Sequence, residues 1–263
     1  MLGIVDWGIG GVDFFRRLRA RNANVPVVYF SDAGSTPYGR IPRAALLSRL
    51  ERVIKAIAER GATHVVVACN AASTVLPSLT SPVPVVGVIE HGIRAALATS
   101  ASSIGVIGGA RTIRSGCYRR ALTAGGRTVT QRIAQPLSGR VEAGDLGSPA
   151  LRREIAQIVA PLRNVDALLL ACTHYPALAP RFREALPGIR LIDPVKELLR
   201  SISSTWSLPR GSGETLVLTT GDARAMRHAA KIAFDVTLHP RRVTISSGRT
   251  GGRASVRNKT ADP

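Results

Sequence analysis

The stretch Thr63-His64-Val65-Val66-Val67-Ala68-Cys69-Asn70-Ala71-Ala72-Ser73, THVVVACNAAS, decides the fold. Its valine run is short and apolar on both faces, the pattern of a strand buried inside a parallel sheet. The run ends on a cysteine, and the small residues after it lead into a helix. A second copy of the pattern stands at Leu168-Leu169-Leu170-Ala171-Cys172-Thr173-His174-Tyr175-Pro176, LLLACTHYP. Two strand-end cysteines in matched contexts imply a pair with a shared purpose.

Working outward, LGIVD (2–6), VPVVYF (25–30), THVVVAC (63–69) and VPVVGVI (83–89) read as strands. Between them, GVDFFRRLRARN and RAALLSRLERVIKAIAERG show the three-to-four spacing of amphipathic helices, the second closed by Gly61. The alternation then repeats. Strands are expected at 102–109, 129–135, 166–172 and 189–193, helices near 112–123, 148–163 and 177–186. A last strand at 215–221 precedes a helix at 222–233, and 203–213 reads as a loop. This order predicts an α/β fold with parallel sheets, arranged as two similar lobes: residues 1–91 with 199–240, and residues 92–198.

The 263 residues carry 36 Lys and Arg against 17 Asp and Glu, a formal charge of +19. Such a balance invites a nucleic-acid reading. The arginines are scattered, however, aromatics are only 4%, and no nucleic-acid-binding signature is present. Residues 241–263, RRVTISSGRTGGRASVRNKTADP, hold six basic groups against one acid and read as a disordered basic tail. A positive field also suits an anionic small substrate. No apolar run is long enough to span a bilayer and no signal peptide is legible, so a cytoplasmic protein is expected. The three cysteines, Cys69, Cys117 and Cys172, have no metal-ligand spacing, so free thiols are expected and no metal.

Ligands of open parallel sheets bind beyond the carboxyl ends of the strands. Asp6, Asp32, Cys69, Cys172 and Asp193 all stand at such ends and are expected to face one cleft. A thiol there, followed by a helix N-terminus, has its thiolate favoured by the dipole and free N–H groups. His174 suits Cys172 as a proton partner, and Asp6 suits Cys69. Two opposed thiols fit a reaction that removes a proton from one face of a carbon and returns one to the other. The turn Gly8-Ile9-Gly10-Gly11 is too incomplete for a dinucleotide fingerprint and reads as backbone N–H groups that hold a carboxylate. None of the four lysines offers a convincing Schiff-base site for pyridoxal phosphate.

The stretches GIVDWGIGG, YFSDAGSTPYG, VVVACNAAS, VPVVGVIEHGIRAA, IGVIGGARTIRS, QPLSGRVEAG, LLLACTHYP, LIDPV and TTGD together resemble the glutamate racemase family over nearly residues 2–240. The resemblance implies two flavodoxin-like lobes related by a pseudo-twofold axis, with the active site in the cleft between them. It implies an isomerase that interconverts L- and D-glutamate with neither cofactor nor metal, the D form supplying peptidoglycan synthesis. Cys69 would take the α-proton from D-glutamate and Cys172 from L-glutamate, with Asp6 and His174 as their assistants. Asn70, Thr173, Thr112 and the Pro37-Tyr38-Gly39 turn would hold the substrate, and Glu142 would assist the chemistry. Effects on DNA gyrase attributed to some members make a nucleic-acid-linked partner worth testing, and a homodimer is one way the faces could pair.

Three positions depart from the family pattern. Trp7 stands where serine is usual, Ala71 where threonine is usual, and Gly109 also replaces a threonine. A lost hydrogen bond to a charged group costs about 1.5–3 kcal/mol. Two alternatives therefore stay open: a racemase of another acidic substrate, and a weakly catalytic paralogue that binds a small anion or a partner.

Overall fold

A computed structural model describes residues 1–245. Ten strands follow in chain order: β1 (Leu2–Asp6), β2 (Val27–Ser31), β3 (His64–Val67), β4 (Val85–Gly87), β5 (Ser103–Gly108), β6 (Thr128–Ile133), β7 (Ala167–Ala171), β8 (Arg190–Ile192), β9 (Thr215–Thr219) and β10 (Arg241–Arg242). They form two all-parallel sheets, ordered β10-β9-β2-β1-β3-β4 and β6-β5-β7-β8. β1, β2 and β7 are buried at every residue, as continuous apolar strands between two helical layers must be.

The two sheets repeat one strand order. In β2-β1-β3-β4, as in β6-β5-β7-β8, the second strand precedes the first, third and fourth. Each cysteine closely follows the third strand of its set, Cys69 after β3 and Cys172 after β7. The pairing places Cys69 beside the end of β1, which finishes on Asp6, and Cys172 beside the end of β5. An internal repeat of topology thus turns two sequence motifs into two facing strand ends.

Three differences from the sequence reading bear on the site. The helix expected over 112–123 is two helices, Ala110–Ser115 and Cys117–Ala124, because Gly116 takes a left-handed φ of 67° between them. The strand expected to reach residue 135 ends at Ile133, and Gln135–Glu142 forms a helix started by Pro136 in its first turn. The segment read as the start of a basic tail begins with β10: Arg241 pairs with Leu218 and Arg242 with Thr219. Val243 and Ile245 pack on the apolar core beside it. A short charged strand covers the open edge of β9, whose N–H and C=O groups would otherwise lack partners. The rest of the expected tail, 246–263, lies outside the described residues. No described helix is long and apolar enough to cross a membrane.

Candidate active site

A cleft of about 430 Å³ opens where the ends of β1, β3 and β7 converge. Thirteen residues expected from the sequence line it: Asp6, Trp7, Pro37, Tyr38, Gly39, Cys69, Asn70, Ala71, Thr112, Glu142, Cys172, Thr173 and His174. Asp32 and Asp193, expected to face the same space, do not. Asp32 accepts from Arg49 Nε and Nη2 at 2.8 and 2.6 Å, from Tyr38 Oη at 2.9 Å and from Thr220 Oγ1 at 2.9 Å. That carboxylate fastens the Tyr38 turn from behind, and it leaves the Tyr38 hydroxyl committed. Asp193 caps the helix Pro194–Thr205 through Val195 N and pairs with Arg17 at 2.8 Å.

On one wall, Asp6 is fully buried and accepts from Trp7 N at 2.7 Å and from Thr173 Oγ1 at 3.2 Å. Burial raises its carboxyl above the ordinary range, opposed by the His174 charge and by hydrogen bonds from Cys69 and Trp7 N. The neighbouring Cys69 is 7% exposed. Burial, and then the Asp6 charge, push its thiol well above the ordinary range, so Cys69 holds its proton.

The opposite wall is built differently. His174 Nδ1 lies 3.7 Å from Cys172 Sγ, and His174 Nε2 lies 2.6 Å from Glu142 Oε1. Burial works against a charge on the ring, but the hydrogen bonds to Cys172 and Glu142 outweigh it and raise the imidazole well above its ordinary value. The geometry suits the protonated ring, which would direct one N–H at sulfur and the other at carboxylate. The Gln135–Glu142 helix delivers that carboxylate.

The glycine turn after β1 joins the two walls. Ile9 N donates to Glu142 Oε1 at 2.9 Å, so the carboxylate that the turn was expected to hold is the chain's own. A Cβ on Gly8 would run into the Glu142 carboxylate, and one on Gly10 would run into Thr173 Oγ1, Asp6 Oδ2 and His174 Nδ1 together. Only a backbone without side chains passes between these groups.

Asn70 is 3% exposed; its Oδ1 accepts from Tyr118 Oη at 2.7 Å, and its Nδ2 has no partner among the described residues. A buried, unpartnered amide donor lining a cleft is a fit for a ligand oxygen. Trp7 directs its indole N–H away from this space, donating to Ser35 O at 3.0 Å, while its ring packs against the apolar core. Gln135 and Ser138 also line the cleft and went unread in the sequence. Gln135 Oε1 accepts from Ala110 N at 3.0 Å and occupies the space beside Gly109, where the family's threonine is missing. The signal was available in QPLSGRVEAG, whose helix puts Gln135 and Glu142 on the same cleft.

A family model described as Asp/Glu/Hydantoin racemase matches residues 2–202. The chain belongs to this family. Membership makes it an isomerase of the amino-acid racemase type. A glutamate racemase of Desulforudis audaxviator is 34% identical over 209 residues, covering 76% of this chain and 77% of that protein. One from Aquifex aeolicus is 31% identical over 245 residues, 91% of this chain and 96% of that protein. Among solved structures, a glutamate racemase isoform from Bacillus anthracis superposes with a TM-score of 0.85 at 25% identity, covering 93% of this chain and 97% of that one. The family's two-sheet fold is thus the fold of this chain.

Proposed function

We propose that the chain interconverts L- and D-glutamate by passing the α-proton between Cys69 and Cys172, and that it supplies D-glutamate for peptidoglycan synthesis in the cytoplasm. One observation carries the reading: two strand-end thiols, each with its own titratable neighbour, line the same small cleft. The names of the relatives support glutamate as the substrate. Asn70 Nδ2 supplies a buried donor for a substrate carboxylate.

The resting proton distribution suits one direction. Cys69 carries a proton, and Cys172 faces an imidazolium. With L-glutamate bound, the Cys172 sulfur takes the α-proton as the Cα–H bond breaks. Cys69 then gives its own proton to the opposite face, so one proton leaves the carbon and one arrives. From D-glutamate, the Cys69 proton first passes to Asp6 and a His174 proton to Cys172; the Cys69 sulfur then takes the α-proton and Cys172 gives its proton to the opposite face. Both bases are side chains of the chain itself.

Trp7 favours a second reading, a different acidic substrate, because its ring fills part of the cleft wall. Incubation with D- or L-glutamate or aspartate in D₂O separates the two. Inversion with α-deuterium incorporation on glutamate supports the first reading. Exchange on aspartate alone replaces it, and exchange that persists in both Cys69→Ala and Cys172→Ala removes the thiols from the mechanism.

A further inference from the structure

The helix Ala110–Ser115 starts at the cleft, and Gly109, in its N-cap place, has no side chain to accept from the free N–H groups there. Gln135 accepts instead, from another element. Its Oε1 takes Ala110 N at 3.0 Å, across 25 positions of chain. An N–H can meet only the oxygen of an amide, so this bond fixes which way the group is turned. Nε2 is left as the free end of a side chain that lines the cleft, and among the described residues Ala110 is the amide's one hydrogen-bond partner.

Two glycines make room for that amide. A Cβ on Gly109 would stand 2.9 Å from Oε1, and one on Gly39 would stand 3.0 Å from it. Neither glycine has a positive φ, and Gly109 sits at φ −65°, which any residue adopts. Backbone conformation therefore asks for glycine at neither place; the amide does. Gly39 follows β2 of the first sheet and Gly109 follows β5 of the second, so the group stands where the two halves of the cleft meet.

An amide nitrogen offers two N–H donors and accepts nothing, so its fitting partner here is a ligand oxygen. Being neutral, it holds a carboxylate without changing the proton count of the two cysteines. Asn70 Nδ2 is a second such donor, beside Cys69. Two amide donors from different elements suit a ligand with two carboxylates. We infer that Gln135 is a substrate-binding residue, with Nε2 donating to a carboxylate oxygen while Oε1 holds the start of the Ala110–Ser115 helix, and that it supplies what a hydroxyl at position 109 would. This rests on the proposed reaction of an acidic amino acid.

Gln135→Glu separates the two ends of the amide. It keeps an oxygen for Ala110 N and the length of the side chain, but sets an anion where the donor stood. With whichever of glutamate and aspartate the chain takes, KM and the calorimetric Kd are expected to rise by about tenfold or more, with kcat changed less. Gln135→Ala should raise both by a smaller factor, because it removes the donor without adding repulsion. Adding Gly109→Thr to Gln135→Ala places a hydroxyl in the vacated space and should recover part of the loss. Unchanged KM and Kd in Gln135→Glu overturn the inference, since a role confined to the helix start would leave both alone. So does a loss confined to kcat, and so does a double variant that binds no tighter than Gln135→Ala. A wild type that binds the acid without inverting it defeats the racemase reading alone, and Kd still decides the role of Gln135; binding of neither acid overturns both.

Discussion

The two cysteines occupy equivalent places in two sheets of the same strand order, yet their surroundings differ. Cys69 is buried against one carboxyl group, and its thiol is held protonated. Cys172 is half-buried and answers to a charged imidazole that is itself tied to a carboxylate. The repeat of β1–β4 by β5–β8 sets where the thiols stand. The difference comes from a later arrival, the Gln135–Glu142 helix, which reaches across to His174 and has no matching role on the Cys69 wall. Position is inherited from topology, and protonation from what packs against it.

The sharpest way to break this comparison is to remove each thiol. Cys69→Ala and Cys172→Ala are each expected to lower inversion of chirality by about 10³–10⁴-fold. Residual α-deuterium exchange should be one-sided, on L-glutamate for Cys69→Ala and on D-glutamate for Cys172→Ala, as read by NMR. Equal residual exchange on both isomers would deny the two walls separate duties. Gly10→Ala strikes both walls together, since its Cβ meets Asp6, Thr173 and His174. A drop of about a hundredfold in kcat/KM for both isomers is expected from the displaced groups.

Glu142→Gln sharpens the Cys172 side alone. It removes a charge that keeps the imidazolium in place, and kcat/KM is expected to fall by about tenfold or more. Because folding raises the His174 value, its contribution to stability is fully present below about 6.5 and is lost as pH rises through the folded value. The variant should lose that contribution at a lower pH than wild type. Denaturant midpoints measured across the pH range check this, and superimposable profiles would show that Glu142 does not govern His174. Tyr118→Phe frees the Asn70 amide to turn; KM should rise about fivefold with less change in kcat. The smallest effect is expected from Trp7→Ser: its N–H is already spoken for by Ser35, so glutamate KM should move by no more than about threefold. A larger shift would make the indole a determinant of substrate choice.

The parallel sheets and the cleft residues were legible because valine and leucine runs ending in Cys69 and Cys172 fix strand, direction and edge at once. Asp32 and Asp193 misled for the same reason: a strand end places a carboxylate near the cleft but does not say whether an arginine from another element claims it. Arg49 and Arg17 do so. Gln135 and Ser138 escaped because QPLSGRVEAG is short, polar and weakly periodic, and its helix is held by tertiary packing more than by propensity. The Tyr118 contact to Asn70 joins residues 48 positions apart in the chain and has no local signature. The start of the presumed tail was misread because edge strands are chosen by what they cover, and Arg241 and Arg242 look like solvated charge in sequence.

One oxygen of Glu142 accepts from both Ile9 N and His174 Nε2. Ile9 belongs to the turn after β1, in the first sheet, while His174 follows β7 in the second. Any parting of the two sheets that draws Ile9 away takes a donor from that oxygen and leaves it freer to hold the imidazolium. Opening of the cleft and proton affinity are therefore linked, and linkage is reciprocal.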